Sequence, residues 1–136
     1  MPYQVKNFMS KPFAFVTLND SLNTALDRMN KLKTKKLTVI DENNLIWAFI
    51  SKAELCSFLE KEKHTKKINT PKVYQLLKTK HYFINAYPQN DIYEALNIME
   101  KFDLNYLPVC KSIWEKELVG FINASDFKNY TYNEKS

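Results

Sequence analysis

Two acidic residues stand at matching places in this chain, each just after an apolar run that ends in a small polar cluster. Asp126 follows Leu118-Val119-Gly120-Phe121-Ile122-Asn123-Ala124-Ser125, and Glu54 follows Ile46-Trp47-Ala48-Phe49-Ile50-Ser51-Lys52-Ala53. Three positions ahead of each acid is a residue that caps helices, Asn123 before Asp126 and Ser51 before Glu54. That is the spacing of an N-cap and a first-turn acid, so each stretch reads as strand, sharp turn, helix. Such a cap needs no ligand. A binding role for either carboxylate has to be argued from more than spacing.

Other chemistry is poorly represented. One glycine in the whole chain excludes a glycine-rich phosphate loop, no His-Glu-x-x-His or Cys-x-x-Cys is present, and no serine sits in a nucleophile elbow. Cys56 and Cys110 are isolated, without a second cysteine or histidine at metal-ligand spacing. Both lie in apolar contexts and read as buried, reduced thiols. His64 falls in the charged linker and His81 near a strand start, and neither is expected to have a functional role. No catalytic residue and no metal site is expected.

The elements that position the two acids occur twice. At an offset of 70, Leu22 pairs with Ile92, Ala25 with Ala95, Leu26 with Leu96, Met29 with Met99, Leu37 with Leu107 and Val39 with Val109. Past the next loop the offset is 72, pairing Ala48 with Gly120, Phe49 with Phe121, Ser51 with Asn123 and Glu54 with Asp126. The two-residue change falls where a loop tolerates it. Within the first unit, Phe13 to Leu18 is extended, Asn19-Asp20-Ser21 supplies caps, and Leu22, Ala25, Leu26, Met29 and Leu32 recur at helical spacing. Leu37 to Ile40 and Leu45 to Ile50 are strands around an Asp41-Glu42-Asn43-Asn44 turn, and Ser51-x-x-Glu54 opens a helix with apolar Leu55, Phe58 and Leu59. The second unit repeats this: extended Tyr82 to Ala86, an Asp91-x-x-Glu94 capping box, a helix through Met99 and Phe102, and strands Leu107 to Cys110 and Leu118 to Ile122. Val73-Tyr74-Gln75-Leu76-Leu77 echoes Val5-Lys6-Asn7-Phe8-Met9. The expected organisation is a first repeat over 1–60, a linker over 61–72 and a second repeat over 73–136. The lone Gly120 is expected where a side chain would block a close backbone approach or a positive φ.

The element order makes the chain α/β (α+β), and its composition is that of a folded soluble protein. Of 136 residues, 45% are hydrophobic, 14% aromatic and 26% charged, which excludes a disordered class; the longest apolar run, Leu45 to Ile50, is too short to cross a bilayer. The start Met1-Pro2-Tyr3-Gln4-Val5-Lys6 lacks the sections of a signal peptide, so a cytoplasmic location is expected. The net charge of +5 is concentrated at Lys31, Lys33, Lys35 and Lys36 and at Lys61, Lys63, Lys66, Lys67 and Lys72. Without interleaved aromatics, these runs read as solvated helix face and linker and not as a nucleic-acid platform. Neither small sheet can cover both its faces alone, so two pseudo-symmetric β-α-β-β-α repeats packed sheet to sheet are expected, with ligands in the cleft.

In this order the fragments resemble a known family, the paired CBS (cystathionine-β-synthase) domains or Bateman module. The carriers are Phe8-Met9-Ser10-Lys11-Pro12, Asp20-Ser21-Leu22-x-x-Ala25-Leu26-x-x-Met29, Leu37-Thr38-Val39-Ile40-Asp41, Asn105-Tyr106-Leu107-Pro108-Val109 and Gly120 to Asp126, together spanning about Val5 to Tyr130. The resemblance implies a non-catalytic sensor of AMP, ADP, ATP or S-adenosylmethionine, with no other cofactor. The family motif is a glycine, two apolar residues, a serine or threonine, two variable residues and an aspartate that holds the ribose hydroxyls. A carboxylate can accept from two vicinal hydroxyls, and a helix start favours phosphate.

By that resemblance the better site comprises Asp126, Asn123 in the hydroxyl position, Ser125, the base-bordering Asn105, Tyr106, Leu107 and Pro108, and Asn85, Ala86 and Tyr87 on the preceding extended segment. Gly120 is expected to leave room there. A second, weaker site would use Thr17, Lys36, Leu37, Thr38, Ser51 and Glu54, with Ala48 in place of glycine and Glu54 in place of aspartate. The implied partners are an adenosyl ligand, a second copy in a homodimer, and a regulated protein that the sequence does not identify, with no membrane. The alternatives are an interaction module with decayed sites and a small basic nucleic-acid-binding protein.

Overall fold

The computed structural model describes residues 3–63, 70–77 and 82–127. His64, Lys66, Lys67 and His81 lie outside them. The chain divides into two compact units, one of Ala14–Phe83 and one of Met1–Phe13 with Ile84–Ser136. This division does not follow the repeat. The N-terminal segment of the first repeat belongs to the unit built on the second.

In the unit Ala14–Phe83, β1 (Phe15–Thr17) runs parallel to β2 (Lys36–Ile40), and β2 runs antiparallel to β3 (Ile46–Ser51). Helix α1 (Leu22–Leu32) crosses between β1 and β2, which is what a parallel pair requires. Ser21 caps it, its Oγ accepting from the Thr24 N–H at 3.0 Å. The face carrying Leu22, Ala25 and Met29 is buried with Val16, Leu37, Val39 and Ile50. Each large side chain so buried contributes about 1.5–3 kcal/mol. Helix α2 (Lys52–Glu62) adds Leu55, and the one-turn α3 (Val73–Leu76) adds Val73. Only Leu55 of α2 is fully buried, and its neighbour Cys56 is exposed. The expectation of two buried thiols is corrected: on a helix, the residue after a buried one turns about 100° towards solvent.

The other unit repeats the plan with fewer strands. Helix α4 (Ile92–Lys101) buries Ile92, Ala95, Leu96 and Met99, and β4 (Tyr106–Cys110) pairs antiparallel with β5 (Leu118–Asn123). The extended segment expected over Tyr82 to Ala86 reduces to one bridge, Ala86 beside Val109. Ala86 N–H donates to the Pro108 carbonyl and its own carbonyl accepts from Cys110 N–H, both at 2.9 Å. The capping box expected at Asp91 and Glu94 is also corrected. Asp91 caps α4 through the Tyr93 N–H at 2.8 Å, so its carboxylate is engaged one residue too early to share a box with Glu94.

Chain segments remote in sequence complete each unit in the same way. In one, Val5 N–H donates to Asn90 O, Lys6 N–H to Pro88 O and Ile92 N–H to Tyr3 O. In the other, Val73 N–H donates to Asp20 O, Tyr74 N–H to Leu18 O and Leu22 N–H to Pro71 O. Val5 and Val73, the anchors of these short segments, are both fully buried. Further along, Ser10 and Phe121 exchange two backbone hydrogen bonds, at 2.9 and 3.1 Å. Among the described residues the counterpart is a single bond, Phe49 N–H to Tyr82 O at 2.7 Å.

Gly120 is explained by the Ser10 bridge. A Cβ there would lie 2.6 Å from the Ser10 carbonyl oxygen and 3.0 Å from Met9 Sδ. Of the two reasons expected for this glycine, close approach applies. The left-handed positions fall instead to Lys33 (φ 55°), Asn44 (φ 65°) and Asp103 (φ 54°), in the β2–β3 turn and just past α1 and α4. A side chain at 120 would have to displace backbone. Gly120→Ala is therefore expected to destabilise the protein by about 1–3 kcal/mol, as overpacking does, read from denaturant midpoints. Ala48→Gly should cost only about 0.5–1 kcal/mol, from backbone entropy.

The two thiols are separated by burial as well. Desolvation pushes the Cys110 thiol up to about 11, against a smaller opposing effect of Lys116, while Cys56 is open to solvent. A disulfide-exchange reagent at neutral pH is expected to titrate one thiol of the folded protein quickly and the second only after denaturant is added.

Candidate functional site

The antiparallel hairpin of β4 and β5 brings one end of the better predicted site together. Tyr106 lies opposite Asn123, Leu107 opposite Ile122 and Pro108 opposite Phe121. The Ala124 N–H donates to the Asn105 carbonyl at 2.9 Å, which ties the residue before β4 to the turn after β5. Leu107 and Pro108 are buried, Tyr106 and Asn123 are half-buried, and Asn105, Ser125 and Asp126 are exposed. Phe13 stands edge-on to Tyr106, with ring centroids 5.3 Å apart. This end therefore presents polar groups over an apolar base.

The preceding segment is placed differently from the expectation. Ala86 sits beside Pro108 and Cys110, and Tyr87 lies beyond it towards the Leu118 end of the hairpin. At about 3.3 Å per residue, that puts Tyr87 roughly 13 Å along the strand from Tyr106. The Asn85 amide is turned onto the Ala86 carbonyl at 3.0 Å. Tyr87 meets Lys116, whose Nζ is 2.6 Å from the phenol oxygen and 4.9 Å from the ring centroid. Lys116 brings positive charge to Tyr87. Sequence reasoning passed over it because it sits in the loop that has two extra residues in the second repeat.

An α-helix start is expected after β5; among the described residues the turn there is a 3-10 segment, Ala124–Phe127. Asn123 Oδ1 accepts from the Ser125 N–H at 3.1 Å and from Ser125 Oγ at 2.9 Å. Its cap is thus used two residues on, leaving no box for Asp126 to close. Among the described residues the Asp126 carboxylate makes no hydrogen bond or ion pair. The space beside Gly120, expected to be left for a ligand, is taken by Ser10 and Met9.

In the other unit the acid at the matching position is committed. Ser51 Oγ accepts from the Glu54 N–H at 3.1 Å, and Glu54 Oε1 accepts from the Ser51 N–H at 3.0 Å. This closed box starts the 11-residue α2. Lys36 lies opposite Ser51 across β2 and β3, and Lys36, Ser51 and Glu54 share a hollow of about 190 Å³ with Phe49, Leu76 and Tyr82. Leu37 and Thr38 are buried beneath. Thr17 is not with them. It pairs with Ile40 at the opposite end of the sheet, its N–H donating to the Asp20 carboxylate at 2.8 Å.

Among the described residues no group of three or more His, Cys, Asp and Glu could hold a metal ion, and no helix is long and apolar enough to cross a membrane.

No curated protein sequence is a significant match to the chain. Solved structures are similar over nearly all of it. CBSX2, solved in complex with AMP, is 21% identical with a TM-score of 0.69, over 98% of this chain and 99% of that one. AcuB from Vibrio cholerae is 22% identical with a TM-score of 0.72, over 98% and 96%. The CBS domain pair of protein MJ0100, solved with 5-methylthioadenosine and S-adenosyl-L-methionine, is 18% identical with a TM-score of 0.65, over 98% of each chain. At these identities the likeness shows the fold. The family model for the CBS domain matches twice, at residues 5–61 and 75–132, and the chain, a tandem CBS module, belongs to the CBS-domain family.

Proposed function

We propose that this chain is a non-catalytic regulatory module that binds an adenosine-containing ligand, AMP, ADP, ATP or S-adenosylmethionine, with the ribose held by Asp126. The observation that carries the reading is the contrast between the two matching acids. The Glu54 carboxylate is spent on the Ser51 N–H, whereas Asp126 is exposed and bonded to nothing among the described residues. An uncommitted carboxylate can accept from both ribose hydroxyls without first giving up a helix cap. The complexes of CBSX2 with AMP and of the MJ0100 pair with adenosyl compounds support the ligand class.

The alternative, an interaction module with decayed sites, draws support from Ile113 and Trp114. They are 63% and 89% exposed at the tip of the β4–β5 loop. Both readings include a homodimer. Light scattering across a wide concentration range is expected to give twice the mass of one chain, and a single-chain mass throughout would overturn that expectation.

Calorimetric titration of the full chain with AMP, ATP and S-adenosylmethionine tests the ligand. Asp126→Asn is expected to weaken binding by about 1.5–3 kcal/mol, or about one to two decades, with little change in unfolding temperature. Glu54→Gln keeps an acceptor at the capping position and should change neither by much. Loss of stability with unchanged binding in Asp126→Asn would assign that residue to the turn alone.

A further inference from the structure

At the turn end of the three-stranded sheet, where Thr17 pairs with Ile40, the unit Ala14–Phe83 has a second hollow, of about 470 Å³. Among the described residues it shares no lining residue with the hollow at Ser51 and Glu54. Two aromatic rings line it, Trp47 (38% exposed) and Tyr74 (51% exposed), together with the acids Asp41 and Glu42 and the polar Thr17 and Asn19. In a chain with a net charge of +5, none of the described residues lining this hollow is positively charged.

The hydrogen bonds at the β2–β3 turn hold part of this arrangement in place. Asp41 Oδ1 accepts from the N–H groups of Asn43 at 2.8 Å and Leu45 at 3.0 Å, and Oδ2 accepts from the Trp47 indole N–H at 3.0 Å. The indole is thereby oriented by the turn it follows. Partial burial works against the Asp41 charge, but the Trp47 and backbone N–H groups outweigh it and hold the carboxyl below the usual aspartate range. Asp41 is thus a fixed negative charge whose oxygens are already engaged. Glu42 is exposed, and its carboxylate makes no hydrogen bond or ion pair among the described residues.

We propose that this hollow binds an organic cation, a guanidinium or alkylammonium head that lies against Trp47 and Tyr74 and pairs with Glu42. A cation over an indole or phenol ring is attracted by the negative face of the ring, and the nearby carboxylates add to that attraction. The same carboxylates repel phosphate, so the hollow is unsuited to a nucleotide tail. A divalent metal ion needs several free oxygen ligands, and here the Asp41 oxygens are already taken by N–H donors. The cation can come from a free small molecule or from a basic side chain of a partner protein, since both present the same head group.

The test uses the full chain with Trp114→Phe, which leaves Trp47 as the sole tryptophan and alters a side chain that is 89% exposed. Arginine amide, choline and a Gly-Arg-Gly peptide are titrated at constant ionic strength, with potassium and magnesium chloride as controls. Saturable change of Trp47 emission is expected with the organic cations and not with the controls. Glu42→Gln and Tyr74→Leu are each expected to weaken it by about fivefold to tenfold at an unchanged urea midpoint. Tighter binding of the peptide than of arginine amide would identify a protein side chain as the source, and equal binding a free small molecule. The proposal is overturned by a response that does not saturate, by an affinity indifferent to Glu42→Gln, or by magnesium that displaces the organic cations. AMP binding rests on Asp126 and is read separately.

Discussion

The pair of backbone hydrogen bonds between Ser10 and Phe121 sets the terms for much of this structure. For two backbones to exchange both bonds here, the residue beside Phe121 must give up its side chain, because a Cβ at position 120 would collide with the Ser10 carbonyl. The chain spends its single glycine at this point. By contrast, among the described residues it leaves left-handed positions to Lys33, Asn44 and Asp103, where an L-residue is strained by about 1–2 kcal/mol. Strain at a turn is local and can be borne, whereas a blocked backbone bridge would detach a whole segment.

That segment ties the first residues of the chain to elements more than 80 positions away. Val5, Lys6 and Tyr3 bond around the start of α4, just as Val73, Tyr74 and Pro71 bond around the start of α1. Each unit of the structure is consequently assembled from one repeat and a short piece of the chain outside its βαββ core. The two copies are not equal. Among the described residues, one has a three-residue β1 where the other has a single bridge at Ala86, and one has a lone hydrogen bond to Tyr82 where the other has the Ser10 pair.

Inequality is also what separates the two acids. A carboxylate that closes a capping box gives an acceptor to the backbone, and Glu54 does so at the head of an 11-residue helix. Asp126 follows a cap whose oxygen is taken by Ser125, and in the described residues it opens only a 3-10 turn. The matching positions of the two repeats thus differ: one acid closes a capping box, and the other makes no side-chain hydrogen bond among the described residues. The same divergence appears at the opposite strand ends. There Tyr87 is met by Lys116, while its counterpart Thr17 lines an acidic, aromatic hollow.

The sequence alone determined the repeated order of elements. Leu22, Ala25 and Met29 recur at helical spacing, Ser51 and Glu54 stand at capping distance, and apolar runs flank Asp41 to Asn44, all of which are local patterns that the backbone must obey. The CBS-domain family followed from that order. What local pattern could not decide was competition among partners. Asn123 and Asp126 have capping spacing, yet Ser125 takes the cap; Cys56 lies beside Leu55, yet points outward; Tyr82 to Ala86 read as a strand, yet among the described residues only Ala86 forms a bridge. The unit boundaries were also hidden, because Ser10 and Phe121 have no shared motif and meet only through backbone atoms. A site residue is recognised from its own type and spacing, whereas its availability depends on which neighbour reaches it first, and that is decided only when the chain is folded.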